Sequence, residues 1–194
     1  MKIKIKEALI IGLSFIFQFF SLLMILNLNL PSAERLLLIS SNLFLTIFLL
    51  CNALEDLRTR LISRGRNVIF ILCSSGFSLF RMFYIHKAQG DWETYASVWI
   101  VTMLFMFLMI ILVPRDKFGL GDTLSCLGTV NCLLAMFGTF GIMVFFLVIL
   151  IAGFSALINC AVKREQKTAF LPHLLIGSLA SVSVILTATG ILCR

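Results

Sequence analysis

Apolar residues run through this chain in stretches long enough to cross a bilayer, and the polar residues fall in short clusters between them. About 17–25 apolar residues span a hydrocarbon core of ~30 Å as a helix, so the clusters mark where each crossing ends. The pattern predicts spans from about Ala8 to Leu30, Leu36 to Leu54, Val68 to Ile85 and Ala96 to Val113. Pro31, Ser32 and Ala33 with Glu34 and Arg35 form the turn between the first two, and Pro114 ends the fourth. From Thr123 to Val162 the apolar stretch is too long for one crossing and reads as two helices, broken at Phe137-Gly138-Thr139-Phe140-Gly141. A last span runs from about Phe170 to Cys193, with Pro172 in its first turn, where a missing amide donor costs little. The expected fold is all-α: a polytopic helical membrane protein of about seven transmembrane helices. Residues 1–194 form a single membrane domain in this reading.

Composition agrees. The apolar fraction is 60% and the charged fraction 13% of 194 residues, against roughly 45–50% and about 25% in a soluble domain. A globule of this size could not hide that excess in one core. A secreted disulfide miniprotein, a disordered tail and a soluble nucleic-acid-binding domain are thereby excluded, and the net charge of +7 needs another source. It is topology. Basic residues are retained on the cytoplasmic side, and twelve of the 16 Lys and Arg collect on one side of the seven-span arrangement: Lys2, Lys4, Lys6, Arg58, Arg60, Arg64, Arg66, Arg115, Lys117, Lys163, Arg164 and Lys167. Arg35, Lys87 and Arg194 fall on the other, and Arg81 lies inside the third span, from which it is expected to snorkel to the near interface. The amino terminus is therefore expected inside. Lys2, Lys4 and Lys6 precede an apolar run longer than a cleavable signal carries, which predicts an uncleaved first helix.

The acidic residues are few and location separates them. Glu34, Asp91 and Glu93 fall in outer loops, and Glu7 and Glu165 sit beside lysines and arginines, where a solvated or ion-paired role suffices. Four others lie in two cytoplasmic loops: Glu55 and Asp56 after the second span, and Asp116 and Asp122 in Arg115-Asp116-Lys117-Phe118-Gly119-Leu120-Gly121-Asp122. Glycines before a carboxylate allow it to be presented at a helix start packed tightly on its neighbours. Asp56 and Asp122 would lie at similar depth. Two carboxylates in a partly desolvated site share one proton, so one activates water while the other protonates the carbonyl oxygen or leaving amine. Spacing alone leaves a second reading open, in which Asp56 pairs with Arg58 or Arg60 and Asp122 caps a helix beginning at Thr123.

Three segments then carry a resemblance. Asp56-Leu57-Arg58-Thr59-Arg60-Leu61-Ile62, with Asn67 following, resembles the D-x-R-x-x-x-I-P-N segment of type IV prepilin peptidases, a family that includes the preflagellin peptidases. Gly119-Leu120-Gly121-Asp122 resembles their G-x-G-D, and Ala169-Phe170-Leu171-Pro172-His173-Leu174-Leu175-Ile176-Gly177 their P-F-x-P-x-L-x-x-G. The segments stand in the family's order and delimit a core at 37–192, preceded by one extra amino-terminal helix. The resemblance implies a membrane aspartic endopeptidase of the cytoplasmic membrane. It would cut the basic leader of a single-span prepilin-like substrate at the cytoplasmic face, with Asp56 and Asp122 catalytic and Gly119, Gly121, Arg58, Asn67 and Pro172 supporting them. The chain departs from the pattern where Ser63-Arg64-Gly65-Arg66 replaces the proline before Asn67, at Leu124 in place of a lysine, and at Ala169 in place of a proline.

Zinc-bound relatives carry two C-x-x-C pairs, and this chain has no C-x-x-C. Cys51, Cys73, Cys126, Cys132, Cys160 and Cys193 are scattered and read as packing residues, so neither a metal nor a cofactor is expected. His86 and His173 are lone histidines; no serine or cysteine partner for a nucleophilic triad is evident, and His173 could line the site. Gly153, Gly177 and Gly190 read as sites of close helix contact. Two alternatives remain. Presenilin-type or signal-peptide-peptidase-type proteases also use G-x-G-D, but place the first aspartate inside an apolar span. A non-catalytic transport or assembly protein would use the aspartates structurally; its sequence support is Asn131, Asn159 and Arg81 within spans.

Overall fold

A computed structural model describes residues 2–59, 63–88, 90–112, 119–163 and 169–192. Among these every regular element is helical: α1 (Lys2–Asn27), α2 (Ser32–Thr59), α3 (Arg64–Lys87), α4 (Trp92–Leu112), α5 (Leu120–Phe137), a 3-10 turn (Gly138–Phe140), α6 (Gly141–Lys163) and α7 (Leu171–Leu192). Six helical segments are long and apolar enough to cross a membrane: Ile5–Asn27, Ser32–Thr59, Arg64–Lys87, Trp92–Ile111, Leu120–Val162 and Leu171–Thr189. The fifth, of 43 residues, contains α5, the 3-10 turn and α6. Its regular winding breaks where the sequence predicts, because Gly138 takes φ +62°, a left-handed conformation that a side chain would strain.

The helices reach further into the polar clusters than the apolar runs suggest. α2 starts at Ser32 with Glu34 in its first turn and ends with Arg58 in its last, charges that complement the helix dipole at both ends. Asp56 therefore stands on the final turns of α2, not in a loop. Asp91, expected to be a solvated loop residue, caps α4: its Oδ1 accepts the Thr94 amide at 3.1 Å. Hydrogen bonding from Thr94 holds the Asp91 carboxyl below the usual carboxylate range. A lowered value means that the cap contributes fully above the ordinary pKa and is lost as pH falls through the folded one. Amide hydrogen exchange at Thr94 should accelerate on acidification through that window, relative to the intrinsic exchange rate, and Asp91→Ala should abolish the pH dependence.

The contacts divide the chain into two compact units, one of residues 1–62 and 144–194 and one of residues 63–143. In the first, α1, α2 and α7 pack on one another around Ile25, Leu45, Leu49, Leu171, Leu174, Leu175 and Leu186. Small polar groups pin them: Thr46 Oγ1 donates to Gln18 Oε1 at 2.7 Å, and the Ser21 and Ser183 hydroxyls lie 3.2 Å apart. Arg35 closes the α1–α2 turn by donating to the Leu28 and Leu30 carbonyls. Gly177 lets α7 approach α6, since a Cβ there would stand 2.6 Å from the Val148 carbonyl oxygen. Its predicted role as a close contact is observed; Gly153 has nothing within 4 Å of an added Cβ, and the same expectation fails there.

In the second unit α3 lies against α5, with α4 alongside. Gly128 of α5 faces the ring of Phe70, which is buried on α3. Asn131 joins three helices: its Oδ1 accepts from Trp99 Nε1 at 3.0 Å, its Nδ2 donates to Ser75 Oγ at 3.0 Å, and its carbonyl accepts from Ser78 Oγ at 2.8 Å. Long apolar side chains on α4, among them Ile100, Val101, Leu104, Phe105 and Phe107, are exposed, as lipid-facing residues would be. Of the cysteines, Cys126 and Cys132 are buried packing residues, whereas Cys51 and Cys73 are exposed, which corrects the uniform packing expectation. Cys193 lies outside the described residues, as do Arg60, Arg115, Asp116, Lys117, Arg164, Glu165 and Lys167.

Candidate functional site

In the first unit the end of α2 meets the start of α7. Asp56 is 6% exposed, and its Oδ2 accepts the backbone amide of Leu171 at 3.3 Å. The reason lies in the local sequence. The first amides of a helix have no upstream carbonyl partner. In α7 the Phe170 carbonyl accepts from His173 and Leu174, and Pro172 has no N–H, which leaves the Leu171 amide to be given away. Asp56 takes it from across the unit and sits at the positive end of the α7 dipole. Two of the resembling segments, the aspartate of the first and the Leu171-Pro172 of the last, are thus brought together.

Arg58 does not partner Asp56. Its Nε and Nη2 donate to Glu7 Oε1 and Oε2, each at 2.8 Å, in a forked pair joining α2 to α1. Of the open alternative, the pairing of Asp56 with Arg58 gives way, because the guanidinium fork is already engaged with a carboxylate distant in sequence, and Arg60 lies outside the described residues. Asn52, one turn before Asp56 on α2, is fully buried; the sequence reading did not single it out.

In the second unit the G-x-G-D segment opens α5. The helix begins at Leu120 and its N-cap is Gly119, with φ −64° and ψ 141° and no side-chain cap bond. Asp122 is therefore in the first turn, and the expected cap at the head of a helix starting at Thr123 is not found: the Gly119 carbonyl already accepts the Asp122 and Thr123 amides, at 3.0 and 3.2 Å. The first glycine of the motif has a visible purpose. A Cβ on Gly119 would stand 3.1 Å from Asp122 Oδ2, so its absence leaves room for the carboxylate to lie back over the helix start.

Asn67 reaches this turn from α3. Ser63 caps α3 by accepting the Arg66 amide at 3.4 Å, so Ser63 to Arg66 form the cap and first turn that carry Asn67 inward. Asn67 is fully buried; its Nδ2 donates to the Gly121 carbonyl at 3.1 Å, and its Oδ1 accepts from Ser125 Oγ at 3.1 Å. The side chain thus bridges both ends of the turn that presents Asp122. Asn67→Ala would leave buried polar groups without this bridge and should cost about 1–3 kcal/mol, read as a lower thermal midpoint of the purified chain.

A second cluster of the first unit escaped the sequence reading. His173, 8% exposed, has Nδ1 2.8 Å from Ser155 Oγ and Nε2 3.3 Å from Asn159 Nδ2. A serine partner therefore exists, contrary to expectation; its signal was the four-residue spacing of Ser155 and Asn159 on one face of the apolar α6. Which ring nitrogen donates depends on the tautomer, and in either neutral form one of the two accepts. Among the described residues no three His, Cys, Asp or Glu are grouped as metal ligands would be. No protein-family model, curated protein or solved structure matches the chain.

Proposed function

We propose that this chain is a membrane aspartic endopeptidase, with Asp56 and Asp122 as the two carboxylates that activate water and protonate the scissile peptide. In this reading α5 and α6 cross separately, giving seven spans with the amino terminus on the cytoplasmic side. The substrate is a single-span protein with a Lys/Arg-rich leader, cut at the cytoplasmic face of the membrane. The observation that carries the proposal is local. Each aspartate is held at a helix start by another residue of the resembling segments: Asp56 by the Leu171 amide before Pro172, and the Asp122 turn by Asn67. A carboxylate that only neutralised a neighbouring arginine would not need this support, and Arg58 is spent on Glu7.

The test is co-expression with a tagged single-span substrate bearing such a leader, followed by its change in size. Loss of processing in Asp56→Asn and in Asp122→Asn, with retention in Asp116→Asn, fits the proposal. A transport or assembly role is the second reading. It draws on Gln18 and Asn42, which are buried in the first unit with amide nitrogens that lack hydrogen-bond partners among the described residues. It predicts no processing by the unaltered chain.

A further inference from the structure

We infer that His173 is a positioning residue for the proposed catalytic Asp56, acting through the first turn of α7; the inference rests on the peptidase reading above. The Leu171 amide reaches Asp56 Oδ2 at 3.3 Å, at the long end of hydrogen-bond range. A movement of a few tenths of an ångström in that turn breaks the bond. Pro172, in the same turn, has no amide with which to offer Asp56 a second bond.

The turn is held instead from the side. His173 is buried, and both its ring nitrogens are engaged by α6, one by Ser155 and one by Asn159. Two bonds at opposite edges of one flat ring fix the rotation of the turn about its axis as well as its distance from α6. Helix amides point along the axis, so fixing this turn fixes the direction in which the Leu171 N–H points at Asp56. With both nitrogens engaged by α6, the ring serves as a structural brace.

The experiment uses the full-length chain in lipid nanodiscs and a synthetic single-span peptide with a Lys/Arg-rich leader. Steady-state rates are normalised to folded protein. His173→Ala should lower kcat roughly tenfold, the worth of a hydrogen bond to a charged group, with KM within about twofold. His173→Gln, which keeps one donor and one acceptor, should recover most of the loss. Should His173→Ala fail to fold, Ser155→Ala and Asn159→Ala, each removing one ring bond, should show smaller falls in kcat with the same KM. Unchanged kcat in folded variants, a rise in KM alone, or no recovery by glutamine would overturn the inference. Asp56→Asn separates the two levels: if it is inactive while the His173 variants cleave normally, only the positioning role fails, and if it cleaves normally, the peptidase reading fails.

Discussion

Asp56→Asn is expected to fold as the unaltered chain does and to cleave roughly 10²–10⁴-fold more slowly, the range for removing a general acid or base. The retained fold follows from the contact that the carboxylate makes. Oδ2 of Asp56 accepts from the Leu171 amide, and the amide oxygen of asparagine accepts from the same group. The side chain keeps its volume, and the Arg58 guanidinium is already paired with Glu7. What asparagine removes is the ability to take up and return a proton. Asp122→Asn is expected to behave alike. Gly119, not Asp122, is the N-cap of α5, and the backbone bonds to its carbonyl do not involve the Asp122 side chain. Equal melting temperatures with a lost rate would separate chemistry from stability in both variants.

Gly128→Ala should lower stability markedly through a single methyl group. Alanine normally favours a helix over glycine by about 1 kcal/mol. Here the added Cβ would meet the side of Phe70, only 2.8 Å from Cγ and nearer still to the ring-edge carbons. Phe70 is fully buried and its ring is rigid, so relief requires α3 and α5 to move apart. Overpacking of this kind costs about 1–3 kcal/mol and outweighs the gain in propensity. The internal control lies on the partner helix: Gly76 of α3 has nothing within 4 Å of an added Cβ, and Gly76→Ala should not lower the melting temperature. Adding Phe70→Leu to Gly128→Ala should restore part of the loss, since the smaller side chain vacates the space. A Gly128→Ala chain as stable as the parent would show that the helices do not approach as described.

The apolar runs and charge clusters made the helical segments legible, because a bilayer-length run has few other uses. Their ends were less legible. Ser32, Glu34 and Arg58 look like loop residues in a hydropathy pattern but serve helix termini well, so α2 runs through them. The G-x-G-D segment and Asn67 could be picked out, yet the bond between Asn67 and the Gly121 carbonyl could not. The partner of Asp56 is harder still, since a backbone amide has no side-chain signature and only Pro172 hints that one is spare. Arg58 turned to Glu7, 51 residues away, instead of to its neighbour Asp56. Ser155, Asn159 and His173 meet across two helices, and only the i, i+4 spacing of the first two was visible in advance.

Whether the two carboxylates cut a peptide is read by leader release per folded molecule, measured for the purified chain and for its Asp56→Asn and Asp122→Asn forms. A synthetic single-span peptide with a basic leader is the substrate, and mass spectrometry reads the products. One defined cut by the unaltered chain is expected, and release slowed by roughly 10²-fold or more in either variant, with all three melting together. Cleavage at the parental rate by either variant would contradict the dyad.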